Sequence, residues 1–147
     1  MIRKATVQDA ETIALYNANL AKETENIDLD LDTVIEGVKA ILTDPSKGRY
    51  FVYEQDGQVV GQIAVTFEWS DWRNGQFWWI QSVYVHKLYR RQGIFQSLYK
   101  HIKDLVSANP SICGLRLYVE KENEPAQSTY KKLEMEETHY FLYEWEK

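Results

Sequence analysis

From Val83 to Phe95 the chain reads Val-Tyr-Val-His-Lys-Leu-Tyr-Arg-Arg-Gln-Gly-Ile-Phe, passing from strand-forming residues through a basic loop into a helical pattern. A phosphate suits such a junction. The first amides of a helix have no intrahelical acceptor and together carry about half a positive charge. Gly93 would let the backbone come close to a ligand, and Arg90 and Arg91 add fixed charge. Neither the Gly-x-x-x-x-Gly-Lys-Ser/Thr of a P-loop nor the Gly-x-Gly-x-x-Gly of a dinucleotide fold is present, so the anion is held in neither of those ways. From Tyr84 to Lys103 there are five Lys/Arg and no acidic residue, in a chain whose net charge is −5. One basic segment in an acidic protein fits a compact anionic ligand and disfavours nucleic acid, which needs a broad basic face.

A second group lies downstream, in Asn123-Glu124-Pro125-Ala126-Gln127-Ser128-Thr129-Tyr130. Asn123 can cap a helix in whose first turn Pro125 is tolerated, and Ala126, Tyr130 and Leu133 fall on one side of it. Taken alone, a tyrosine four residues after an alanine is a core residue. The third group is aromatic: Trp69, Trp72, Trp78 and Trp79 fall within eleven residues, with Glu68 and Asp71 among them. The three histidines are not at metal-ligand spacings, so no metal is expected. Cys113 reads as small core filler.

The elements that must position these groups follow from periodicity. Ile2 to Ala5 suits a short strand, and Thr6 with Asp9 resembles a capping box opening a helix with Ala10, Ile13, Ala14, Asn17 and Leu20 on one stripe. A second helix is expected over Leu31 to Leu42, stopped by Asp44-Pro45 and Gly48. The linking segment and its flanks are acidic: Glu23, Glu25, Asp28, Asp30, Asp32 and Glu36. Arg49 to Glu54 and Val59 to Glu68 flank Asp56-Gly57, which predicts an antiparallel hairpin. A polar loop over Ser70 to Gln76 and a central strand over Phe77 to Val85 come next. Ile94, Leu98, Ile102 and Leu105 then mark one helix face, Leu115, Leu117 and Val119 a strand, and Thr138 to Trp145 a terminal aromatic strand. Two strand-helix-strand crossovers in the second half predict a single α/β domain over 1–147, its mixed sheet partly antiparallel and partly parallel with helices on both faces. At 147 residues one core can form without disulfides, and a lone cysteine allows no internal one. With no apolar run of membrane-spanning length and no signal-like N-terminus, a cytoplasmic protein that does not enter membranes is expected.

With these residues in view, the sequence resembles the GNAT superfamily of N-acetyltransferases, whose signature is Gln/Arg-x-x-Gly-x-Gly/Ala at the start of a helix after a central strand. Here it stands as Arg90-Arg91-Gln92-Gly93-Ile94-Phe95, with Phe95 replacing the usual small residue, so its side chain must point away from the phosphates. The element order over essentially the whole chain and the Asn123-x-x-Ala126-x-x-x-Tyr130 motif extend the resemblance. It implies that Arg91 to Gln96 hold the pyrophosphate of acetyl-coenzyme A, aided by Arg90. It implies that Val83 and Val85 pair through their main chain with the pantetheine arm. The Tyr84 or Val85 amide could then stabilise an oxyanion. Asn123 and Ala126 would contact the arm, and the Tyr130 phenol would serve the departing thiolate. For the acceptor, a small cationic primary amine, the resemblance points to the tryptophan region and the acidic inter-helix segment, with Glu68, Trp69, Asp71, Trp79 and Gln81 as substrate contacts. Because Gln81 stands where many relatives have Glu and cannot take a proton, Glu68 is the expected base, with Asp71 behind it. Direct transfer in a ternary complex, and pairing as a homodimer, are further implications. The rival is a non-catalytic acyl-coenzyme A or small-ligand binding module on the same fold; a carbohydrate-binding domain leaves the basic helix start unexplained.

Overall fold

Asp56 and Gly57 take positive φ angles of 51° and 75°, the primed-turn geometry that matches strand twist, and so fold β2 (Arg49–Gln55) back on β3 (Gln58–Ser70). The computed structural model describes residues 1–147 as two compact units, 1–117 and 118–147. In the first, β1 (Ile2–Lys4), β2, β3, β4 (Gly75–Val85) and β5 (Ile112–Leu117) form one sheet in that order. Every neighbouring pair is antiparallel except β4 and β5, which run parallel.

Three helices complete this unit: α1 (Ala10–Glu25), α2 (Leu31–Thr43) and α3 (Ile94–Ser107), the last crossing from β4 to β5. The two-residue period of β2 assigns them to faces. Tyr50 and Val52 join Ala10, Ile13 and Ala14 of α1 and Val38 of α2 in one buried cluster. Between them Phe51 points the other way and meets His101 of α3, ring centroids 4.9 Å apart. Helices therefore cover both faces, as the patterning predicts. Ile94, Leu98 and Ile102 of α3 are buried, each contributing roughly 1.5–3 kcal/mol by leaving water. The capping box also forms: Thr6 donates its amide to Asp9 Oδ2 at 2.7 Å, and Arg3 holds the same carboxylate at 2.8 and 2.9 Å, keeping it below the usual carboxylate range.

In the second unit, α4 (Glu124–Lys132) starts at Asn123, whose side chain accepts from the Ala126 amide at 3.2 Å. No helix is long and apolar enough to cross a membrane.

Three expectations differ from what is observed. The polar loop is only the turn at 71–74, because Trp69–Gln76 and Ser70–Gly75 pair and carry the hairpin further. Ile112 and Cys113 begin β5, whereas Val119 lies outside it. The terminal strand is absent: 138–145 pairs with no strand, so only one crossover forms. Tyr140, Phe141, Leu142, Tyr143 and Trp145 are instead 63–92% exposed. Aromatic residues fit a pleated surface, but a strand exists only through its ladder, and this segment has none.

Candidate cofactor and acceptor site

The ladder between β4 and β5 stops at the Ile80–Leu117 pair, so Gln81 to Val85 run on with no partner strand on that side. On the other side β3 still pairs with β4, Gly61 opposite Val85 and Gln62 opposite Tyr84. A register irregularity between Gln62 and Ala64 puts Ser82 in the left-handed region, at φ 51°. The open edge of β4 thus leaves Val83 to Val85 without a strand partner on the β5 side.

This edge leads into the basic loop. His86 accepts from the Leu88 amide and opens a 3-10 turn, after which Arg91 and Gly93 take φ angles of 64° and 77°. Gly93 is the N-cap of α3 and has no side chain with which to cap it. The first amides of α3 have no intrahelical acceptor and Gly93 offers no side-chain cap, which makes this end of the helix a donor site for an anion. Phe95 is half-buried, its ring 6.2 Å from that of Tyr99, so it packs on the helix flank. Gly61 makes the approach of α3 possible: a Cβ there would stand 2.8 Å from Ile94 Cγ2.

Arg90 is used differently from Arg91. Its Nε donates to the Val85 carbonyl at 2.9 Å, its Nη2 meets Glu23 Oε2 at 2.7 Å, and its guanidinium lies 5.3 Å from the Tyr84 ring centroid. The Tyr84 hydroxyl donates to the other Glu23 oxygen at 3.1 Å, and burial first, then Glu23, raises that phenol's pKa. Glu23 thus ties the end of α1 to the end of β4. Because this ion pair is 43% and 42% exposed, it contributes no more than about 1 kcal/mol. Glu23→Gln is accordingly expected to weaken coenzyme A binding by no more than about fivefold in calorimetry.

Of the expected acceptor contacts, Gln81 stands at the start of the open edge of β4, and the others lie toward the far end of the β3–β4 hairpin. Glu68 pairs opposite Phe77, six residues down β4 from Val83, which is about 20 Å at about 3.4 Å per residue. Its oxygens are both engaged, one by the Trp79 indole N–H at 3.0 Å and the other by Arg116 at 2.7 Å, tying β3, β4 and β5 together. Trp69 and Asp71 are exposed at the hairpin end, while Gln81 donates to Thr66 Oγ1 at 3.5 Å. Glu68 and the open edge of β4 are therefore not brought together. In the second unit, Asn123, Ala126 and Tyr130 share the start and one side of α4, and burial pushes the Tyr130 phenol above its ordinary value of 10.0.

Beside Ser82 lies an open groove of about 310 Å³. Residues of α1, α2 and the segment between them line it, including Asn17, Leu20, Glu25, Ile27 and Leu29. Only the stripe position of Asn17 and the acidic inter-helix stretch pointed toward it.

The chain matches the acetyltransferase (GNAT) family description over residues 12–135. Among solved structures it is similar to a possible acetyltransferase from Clostridium difficile 630, at 55% identity and TM-score 0.95, covering 99% of this chain and 96% of that one. It shares its fold with the ribosomal-protein-alanine N-acetyltransferase of Brucella melitensis, at 18% identity and TM-score 0.78, over 99% of this chain and 97% of that one. An aminoglycoside acetyltransferase from an uncultured soil metagenomic sample has the same fold at 19% identity and TM-score 0.73, over 99% and 98% of the two chains. No curated protein matches the sequence. The family match and the 55% identical structure, together with the splayed β4 and the uncapped start of α3, show that this chain belongs to the GNAT acetyltransferase family.

Proposed function

We propose that this protein transfers the acetyl group of acetyl-coenzyme A directly to a primary amine. The observation that carries the reading is the open edge of β4 leading through the basic loop into the uncapped N-terminus of α3. The residues fit the cosubstrate: an extended main-chain edge matches the amides of a pantetheine arm, and unsatisfied helical amides beside Arg91 match a pyrophosphate. Acetyl-coenzyme A would supply an activated thioester.

The residues then have separate tasks. Val83 and Val85 orient the arm through main-chain groups, and the Tyr84 or Val85 amide faces the developing oxyanion. Binding the amine at the same mouth supplies proximity, so its nitrogen attacks the carbonyl carbon as the carbon–sulfur bond breaks. The ammonium loses one proton to water at the mouth before its nitrogen attacks, and the acylated nitrogen loses a second to water as the tetrahedral adduct collapses. Tyr130, kept protonated by burial, gives its proton to the departing thiolate and recovers one from solvent.

Calorimetry with coenzyme A, followed by a thiol-release screen of acetyl-coenzyme A against amine classes, tests this reading. Coenzyme A is expected to bind, and pantetheine, which lacks the pyrophosphate, to bind at least tenfold more weakly. Equal affinity for the two, or no thiol release with any amine, would overturn it.

A further inference from the structure

The sheet ends differently at its two margins. β1 has three residues, too few to receive another strand, whereas β5 has six, stands last in the strand order and has no neighbour on its outer side. Proteins ordinarily blunt such a margin with lysine, proline, a bulge or a very short strand. β5 contains neither lysine nor proline, and its register irregularity with β4 lies at its first residues, leaving Gly114 to Leu117 regular. Its one charge is already engaged: Arg116 donates to Glu68 at 2.7 Å and lies 3.7 Å from the Phe77 ring centroid. Ile112, Leu115 and Leu117 are only half-buried, while Val52, Ile63 and Ile80 on the inner strands are buried.

The chain also carries a strand-forming segment that its own sheet does not use. Residues 138–145 read Thr-His-Tyr-Phe-Leu-Tyr-Glu-Trp and pair with no strand, and five of their large apolar side chains are 63–92% exposed. When extended, the segment places Phe141, Tyr143 and Trp145 on one side and Tyr140 and Leu142 on the other. So much contiguous apolar surface marks an interaction site. The lengths match as well, about 27 Å for eight extended residues against about 20 Å for β5.

A second copy of the chain answers both needs at once. Every copy has one free margin and one unused segment, so a twofold axis satisfies them reciprocally and closes the assembly. Pairing segment with segment would instead bring Glu136, Glu137, Glu144 and Glu146 of two chains together, which like charges disfavour. The area is sufficient: four aromatic side chains bury about 150–250 Å² each, so exchange in both directions reaches the roughly 1,200–2,000 Å² of a stable interface. We infer that two copies of this protein exchange residues 138–145, each segment extending the other copy's sheet at β5 as a sixth strand. The exchange is independent of the acetylation chemistry.

Light scattering on the intact protein at micromolar concentration tests this, together with amide hydrogen exchange. The parent should have twice the mass of one chain, with slow exchange in both 138–145 and β5. Tyr143→Glu/Trp145→Glu changes two side chains that are exposed in the single chain, so the fold of each copy should survive, as a melting curve checks. That variant should dissociate at least tenfold more readily, and 138–145 should then exchange freely. Phe141→Pro, which removes an amide from the new ladder, should act in the same direction. Coenzyme A should leave the parent's mass unchanged. A monomeric parent overturns the inference, whether 138–145 exchanges freely or is protected by its own β5. So does a dimer that both variants leave intact, which would be joined through another surface, or one that coenzyme A dissociates, which would place the segment on the open edge of β4.

Discussion

Turnover of any acetylated amine by the Tyr130→Phe variant is expected to fall by about 10²- to 10⁴-fold, the usual contribution of a positioned general acid. Its affinity for coenzyme A should stay within about threefold of the parent, since the change deletes one hydroxyl and keeps the ring. The split between kcat and binding is what a packing role would not produce. Burial raises the phenol's pKa, which disfavours the phenolate, so the acid form persists to a higher pH than a free tyrosine would allow. The alkaline limb of kcat in the parent should therefore lie above 10.0, and Tyr130→Phe should remove it. A variant that retained full turnover would make Tyr130 a packing residue and favour a different proton donor.

Gly61→Ala should have the second largest effect, and it acts from a strand that carries no chemistry. The new Cβ would stand 2.8 Å from Ile94 Cγ2 and 3.4 Å from Leu98 Cδ1. Neither neighbour can yield easily. Ile94 and Leu98 are 3% and 0% exposed, and a β-branched methyl cannot swing aside without a rotamer change. Overpacking of this kind costs about 1–3 kcal/mol, and here the strain falls on the first turn of α3. Coenzyme A affinity should drop about tenfold or more, because the donor amides move with that turn. Ile94→Leu lacks the γ2 methyl, so Gly61→Ala/Ile94→Leu should regain part of the loss. A melting curve and a coenzyme A titration on the three variants form the cycle.

Much of the architecture was legible in local chemistry. Asp56-Gly57 specified the hairpin because positive φ angles are cheap there, and Asn123 specified the start of α4 because its short side chain reaches the Ala126 amide. The basic loop with Gly93 was legible for the same reason: helix starts and charges are local properties. What was not legible depends on register. The bulge at Ser82 arises from how β3 meets β4, and no residue type there announces it. The open groove beside Ser82 joins Asn17, Ile27, Val34 and Ser82, which only tertiary packing brings together. The tryptophan cluster looked like a ligand cage, yet Trp78 is a buried core residue while Trp72 is 86% exposed, so nearness in sequence placed them in different surroundings. The terminal segment shows the converse, since strand-forming residues at 138–145 found no ladder to join.

The free margin of β4 also bears on how the protein behaves when cosubstrate is scarce. A strand margin with no neighbouring strand can take an extended chain, whether a peptide or the margin of another sheet. Concentrated, unliganded protein should consequently be the form most prone to clump, and coenzyme A should act as a solubilising additive by occupying that margin. Purification and storage conditions thus follow from the same stretch of β4 that is proposed to orient the thioester.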